Sequence, residues 1–505
     1  MPLVPQQRVF SRLRTRWQHG TMAAGGDPAQ VGPLWRRVGL SFPLIACVAL
    51  LGAFWGSVVA VAGLNALYLC ISMLGCTFIL LDFRIGVVIL ILLMPISNSY
   101  LFPHAMLGIT GLNPLNLLLI ATLGSYLLHG MSNGSLRRFM PQTLFWLYIV
   151  PILISGALGS RHIGEIAPGF FIYDMLEFDN AAGYVRDLVV KPLLMVLFAL
   201  LVGAAVSESR KPRWFLVPTF ISIWVMGMIV IVFVLQSGVA LNQLASSGSR
   251  EFLSVLGLHA NDLGRLYATA YALLLFVCAE LKEPRLRLVL VASMGLVMVA
   301  LLLTFSRGAF FGFIVVNALF LFWRRSAKTS MILGLLVVAA VLALPGAVYD
   351  RVTSGYGDGL NAISAGRVDG LWLPLLPEVL RSPVYGSGIG SILWSDAMRA
   401  EGGANVLQVT HPHNAYLQAL LDMGIAGLFL LCAYFVHVWR SFRALSIDAA
   451  MDPAMRGFFQ GAMAGLLSML ISNVTDSSLT PKPEQAFLWL AIGVMYGQRA
   501  MVRAS

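Results

Sequence analysis

Apolar runs of roughly 16–22 residues recur along nearly the whole chain, separated by short polar stretches. A bilayer core offers no water to backbone amides. A run of that length must therefore close its own hydrogen bonds as a helix, or pair with neighbours in a closed barrel. Barrel strands alternate apolar and polar residues over about ten positions. These runs are longer and continuous, which selects helices. Composition agrees, because 58% of the 505 residues are hydrophobic and only 11% are charged. A soluble domain uses about 25% charged residues to coat its surface. The predicted fold is all-α and polytopic, with about 12–14 transmembrane helices.

The apolar segments lie near 40–60, 63–81, 85–102, 114–130, 142–159, 188–206, 214–235, 263–280, 288–304, 309–323, 330–347, 424–439, 458–473 and 485–498. The net charge of +11 is concentrated between them, which argues for orientation signals and against nucleic acid as a partner. With the N-terminus inside, the inner loops hold Arg84, Arg137 and Arg138, Arg210 to Arg213, Lys282 to Arg287, Arg324 to Lys328, Arg440 and Arg443, and Arg499 and Arg503. Every inner loop is then positive, so both termini are expected in the cytoplasm. Residues 1–38 are basic and punctuated by Pro and Gly, and are expected to form a disordered cytoplasmic tail. Residues 39–347 and 424–505 are expected to carry the helices, with 348–423 between them as the largest outer loop. That loop contains an apolar helical stripe, Leu371 to Leu380, expected to lie along the membrane surface. Cys47, Cys70, Cys76, Cys278 and Cys432 all fall in apolar segments and read as packing residues rather than a disulfide framework. Gly386-Ser-Gly388-Ile-Gly390 resembles a phosphate loop only on the surface, and a turn is the better reading.

Cations on the outer side break the orientation rule and so carry information. Arg186, Lys191, Arg265 and Arg307 each sit at the outer end of a helix. Arg307 lies in Thr304-Phe-Ser-Arg-Gly308, a turn recessed between two short apolar stretches. A guanidinium there must be paired or line a wet cavity. Arg265 opens a helix after Asn261 and Asp262; it suits an anion, with an ion pair to Asp262 as the plainer alternative. Arg186 could simply pair with Asp187, whereas Lys191 shows no obvious local partner. The long outer loop ends in Thr410-His411-Pro-His413-Asn414, just before the next helix. Histidine can take a proton from a hydroxyl near neutral pH, and arginine clamps phosphate oxygens with a planar fork. Together they suggest a reaction that deprotonates an alcohol and expels a phosphate. His411 reads as a loop residue more readily than as a member of the site. No metal ligand set and no cofactor are expected; His411, His413 and Asp396 or Glu401 lack metal-site spacing.

His413-Asn414, nine residues, then Gly424-Ile-Ala-Gly427 matches the signature of the bacterial O-antigen ligases and related polymerases and protein O-oligosaccharyltransferases, which this sequence resembles. Ser306-Arg307-Gly308 and Asn261 to Arg265 are similar to that family's arginine segments. The resemblance implies a GT-C-like, inverting, metal-independent glycosyltransferase in the bacterial inner membrane with a periplasmic site. Its donor would be a glycan on undecaprenyl diphosphate. Arg265 and Arg307, with Arg186 and Lys191, would hold the diphosphate. His413 would activate the acceptor hydroxyl, supported by Asn414 and His411. The acceptor would be a lipid A–core sugar in a ligase, or a growing O-antigen or exopolysaccharide chain in a polymerase. A transporter of lipid-linked sugar is the third reading, disfavoured because the polar residues cluster at helix ends rather than the midplane.

Overall fold

The computed structural model describes residues 49–505 apart from 51, 55, 58–59, 61–62, 98, 100–104, 107–108, 134–139, 174, 239–252, 255, 325–356, 358, 365, 400–408, 476–477 and 505. The expected tail at 1–38, the apolar segment at 330–347, Cys47 and Glu401 lie outside the described residues. The chain divides into two compact units, Met1–Tyr68 and Leu69–Ser505.

The protein is an all-α multi-pass membrane protein. Nine helices among the described residues are long and apolar enough to cross a bilayer. The principal helices are α1 (Leu64–Leu81), α2 (Phe83–Leu93), α3 (Pro114–Asn133), α4 (Gln142–Gly159), α5 (Ala181–Ser207), α6 (Pro212–Ser237), α7 (Ala260–Glu280), α8 (Pro284–Leu302) and α9 (Arg307–Arg324). After the long loop come α11 (Ala415–Ile447), α12 (Pro453–Ser472) and α13 (Ala486–Ala504); α10 (Leu373–Arg381) lies within that loop. A two-residue antiparallel pair, Ala105–Met106 with Ile109–Thr110, links α2 to α3.

Small residues let the helices meet backbone to backbone, as packing without a hydrophobic driving force requires. A Cβ on Gly457 would lie 2.6 Å from the Phe276 carbonyl oxygen, and one on Gly461 would lie 2.6 Å from that of Ala272. Gly465 meets Thr269 in the same way, so α7 and α12 run antiparallel. Gly493 and Gly497 meet Ala199 and Gly203, so α5 and α13 run parallel. These pairings bring the start of α7, the turn between α8 and α9, and the end of α12 to one end of the bundle.

Helix α11 has 33 residues. At 1.5 Å per residue it is about 50 Å long, well beyond a 30 Å hydrocarbon core. It breaks at Gly424, whose φ of 64° and ψ of −171° fall where only glycine is comfortable. The segment after α10 docks into this break. Ile425 N–H donates to the Pro383 carbonyl at 2.8 Å, and Ala426 N–H donates to that of Val384 at 3.1 Å.

Beyond the break a second apolar cluster gathers Ile166, Phe170, Phe178, Leu371, Leu375, Trp394 and Leu417. Helix α10 turns Leu375 into this cluster and leaves Leu373, Leu376 and Leu380 exposed. The glycine-rich run is a docking loop, as the turn reading expects. Ser387 N–H donates to the Leu421 carbonyl at 2.8 Å, and Gly388 N–H to that of Asp422 at 2.9 Å. The Asp422 carboxylate accepts from Ser391 N–H at 3.0 Å and from its hydroxyl at 2.8 Å. Cys70, Cys76, Cys278 and Cys432 are free thiols on helices.

Candidate active site

His413 sits two residues before α11, next to its N-cap. Asn414 is the N-cap: its side-chain oxygen accepts from Tyr416 N–H and Leu417 N–H, both at 3.1 Å. That satisfies two of the amide donors a helix start leaves orphaned. Tyr416 extends from the first turn to donate to the Leu470 carbonyl at 2.6 Å, which ties α11 to the end of α12. Trp372 Nε1–H donates to the Pro412 carbonyl at 2.8 Å and holds the motif from the long loop. The spacing of the motif thus has a physical content. Asn414 starts a helix, Gly424 breaks it where the chain from Pro383 arrives, and Gly427 leaves room for the Met423 side chain.

Backbone strain marks two places. Among the described residues, Phe305 (φ 48°) and His413 (φ 51°) are the non-glycine residues with positive φ. A left-handed conformation costs an ordinary residue about 1–2 kcal/mol, and such outliers cluster at functional sites. One is the histidine itself. The other shapes the turn that delivers Arg307, where the Ser306 hydroxyl accepts from Ala309 N–H at 3.3 Å.

Arg265 and Arg307 leave adjoining backbone. A Cβ on Gly264 would lie 2.4 Å from that of Ala309 and 3.3 Å from that of Ser306. The Arg265 guanidinium, only 11% exposed, is paired with Asp262 and lies 3.7 Å from Glu484, which is 4% exposed. Arg265 and Glu484, with Thr269, Ser468, Met469, Ser472, Gln485 and Leu488, line a small cavity of about 10 Å³. That is room for a single water.

His411 and His413 are in contact. His411 Nε2 lies 3.1 Å from His413 Nδ1, and the ring centroids are 4.2 Å apart. His411 Nδ1 lies 3.2 Å from the Thr410 hydroxyl. Burial pushes the His411 imidazole down to about 2, with Lys482, His413, Arg367 and Arg265 adding to the effect. The ring is therefore neutral at any physiological pH, inside a ring of cations.

Two of those cations were not singled out in the sequence. Arg367 comes from the long loop and donates to the Thr475 carbonyl at 3.4 Å. Lys482 comes from the segment before α13. That segment is anchored where Tyr148 donates to the Leu479 carbonyl at 2.7 Å and Trp489 to Gln485 at 3.2 Å. Lys482 falls on the outer side of the expected topology, so the rule that flagged Arg186 would also have found it.

Arg186 and Lys191 have other company. Arg186 binds Asp187 at 2.7 Å, the plainer alternative named above. Lys191 corrects the expectation that it lacks a local partner. It holds Asp187 one turn back at 2.7 Å and Glu177 at 2.9 Å, which the loop before α5 folds over it. Asp396 is held by Arg381.

Long apolar helices define a multi-pass membrane protein, with a strained histidine near the helix ends at one end of the bundle. Within it, residues 289–432 match the family model for O-antigen ligase. The matched stretch holds Arg307, Arg367, His411, His413, Asn414, Gly424 and Gly427, while Arg265 and Lys482 lie outside it. This supports a ligase- or polymerase-type enzyme. No curated protein matches the chain.

Proposed function

We propose that this protein transfers a glycan from undecaprenyl diphosphate to an acceptor hydroxyl on the periplasmic face of a bacterial inner membrane, with a lipid A–core sugar as acceptor. The observation that carries the reading is the His411–His413 contact at the start of α11, tied by Tyr416 to the end of α12, at the end of the bundle where Arg265 and Arg307 leave adjoining backbone. A diphosphate ester needs cationic forks to hold its oxygens and to stabilise the charge left when the sugar departs. Arg265 and Arg307, side by side in the backbone, supply them. The acceptor needs a base near neutrality, and His413 supplies it.

The step balances without further reactants. The acceptor oxygen attacks the anomeric carbon, the carbon–oxygen bond to diphosphate breaks, and the hydroxyl proton goes to His413. The lipid diphosphate leaves with the bonding electrons. A single displacement inverts the anomeric centre, and the charge at the leaving group is met by guanidinium groups, so no metal is required. Asp262 and Glu484 hold Arg265 before the donor arrives. Arginine has five N–H donors, so these carboxylates leave others for phosphate.

A deletion strain tests the reading. His413→Ala should insert normally and lose transfer, and Arg307→Lys should lose most transfer despite keeping its charge, because the bidentate fork is gone. Full complementation by both variants would refute the assignment. The glycan phenotype identifies the acceptor. Lipid-linked polymer accumulating beside bare core indicates a ligase; core capped by a single unit, or lost exopolysaccharide, indicates a polymerase of repeat units.

A further inference from the structure

The geometry points to His411 as a positioning residue: its imidazole accepts the Nδ1–H of His413, fixes the ring and tautomer of His413, and makes Nε2 of His413 the nitrogen that takes the acceptor proton. This rests on the reading of His413 as the base.

The argument starts from proton counting. A neutral imidazole carries one N–H and one lone pair. Both nitrogens of His411 are in contact, Nδ1 with Thr410 Oγ1 at 3.2 Å and Nε2 with His413 Nδ1 at 3.1 Å. Two arrangements satisfy these contacts. In the first, His411 Nδ1–H donates to the Thr410 hydroxyl, and Nε2 accepts from His413 Nδ1–H. The His413 lone pair is then on Nε2. In the second, His411 Nε2–H donates to His413 Nδ1, and His413 Nε2 carries a hydrogen and cannot take another proton. Only the first is competent for base catalysis. It also survives the reaction, because an imidazolium at His413 still donates from Nδ1 to a neutral His411.

His411 is suited to this role by being held neutral. Its ring is largely enclosed, and Lys482 of the segment before α13, Arg367 of the long loop and Arg265 of α7 all oppose a positive charge on it. Asp262 and Glu484 are the carboxylates that pair with Arg265 beside that group. A carboxylate in place of His411 would hold His413 in the same orientation but bind its proton more tightly. A neutral acceptor orients the base without saturating it. The strained backbone of His413 and the Trp372 bond to Pro412 keep the two rings in register.

The test uses full-length protein in detergent, with diethyl pyrocarbonate as the probe of imidazole basicity. Carbethoxylation of His413 is followed against pH by peptide mass spectrometry in wild type and in His411→Glu. The anion should raise the midpoint for His413 by about one pH unit or more. In the deletion strain, His411→Gln should retain more transfer than His411→Phe, since the amide oxygen can accept from Nδ1–H and the phenyl ring cannot. A midpoint unmoved in His411→Glu, or equal transfer in the Gln and Phe variants, overturns the proposal. Should His411→Glu fail to insert, the Gln and Phe pair decides. Retained transfer in His413→Ala would instead remove the proposed function itself, a separate outcome from either failure.

Discussion

Gly424→Ala is the sharpest test of how the motif is built. Gly424 combines φ 64° with ψ −171°. A residue with a Cβ held there costs on the order of 1–3 kcal/mol in strain. The added methyl would also sit 2.3 Å from the Val384 carbonyl carbon and oxygen and 2.6 Å from the Tyr385 nitrogen. These are backbone atoms that cannot swing away as a flexible side chain would. The Pro383–Tyr385 segment must retreat, which breaks the bonds from Ile425 and Ala426, 2.8 and 3.1 Å long. Each is worth about 0.5–1.5 kcal/mol. The total is roughly 4 kcal/mol, at the upper end of single-substitution effects. The assay is thermal unfolding in detergent, read by size-exclusion recovery after heating, with glycan transfer measured in parallel. Gly124→Ala and Gly295→Ala are internal controls, since a Cβ at either position meets nothing within 4 Å. They should be neutral or slightly stabilising, as alanine is the better helix former by up to about 1 kcal/mol. If Gly424→Ala melts with the controls and transfers normally, the account of the break as a fixed docking point is wrong.

Lys482→Met should lower transfer at least about tenfold, because one charged contact to phosphate is worth roughly 1.5–3 kcal/mol; wild-type transfer in complemented cells would remove Lys482 from the donor site. Lys191→Met should leave transfer within about twofold and shift stability by less than about 1 kcal/mol, the value of an exposed ion pair; loss of transfer would restore Lys191 to the diphosphate site. Acid should destabilise the protein through His411. Its folded value lies near 2, below the unfolded value of about 6.5, so the unfolded chain binds the extra proton. The stability is complete above pH ~6.5 and lost as pH falls, by up to about 1.4 kcal/mol per unit. A His411→Phe variant with the same acid slope in thermal unfolding between pH 6.5 and 4.5 would show that other groups cause it.

The sequence by itself determined the class of the protein and singled out the residues of its candidate site. Long continuous apolar runs leave helices as the only open-ended way to satisfy backbone amides in lipid, so the spans are legible without any tertiary information. The histidine motif is legible because its parts are local: an N-cap, a helix of fixed length and a glycine break lie within fifteen residues of each other, from His413 to Gly427. Arg265 and Arg307 could be picked out because an outward cation violates a simple charge rule. What the rule could not say is which cations share a site. Folding pairs Arg186 and Lys191 with Asp187 and Glu177, and Arg265 with Asp262 and Glu484, so each cation's company is set in space. Arg367 and Lys482 reach His411 from segments well separated along the chain. The contact between His411 and His413 is local in sequence, but the left-handed backbone at His413 that accompanies it has no sequence signature. Ion pairs and hydrogen bonds act over a few ångströms in space and leave no periodic trace along the chain, so only the packing of α7, α9, α11 and α12 against the outer loops decided them.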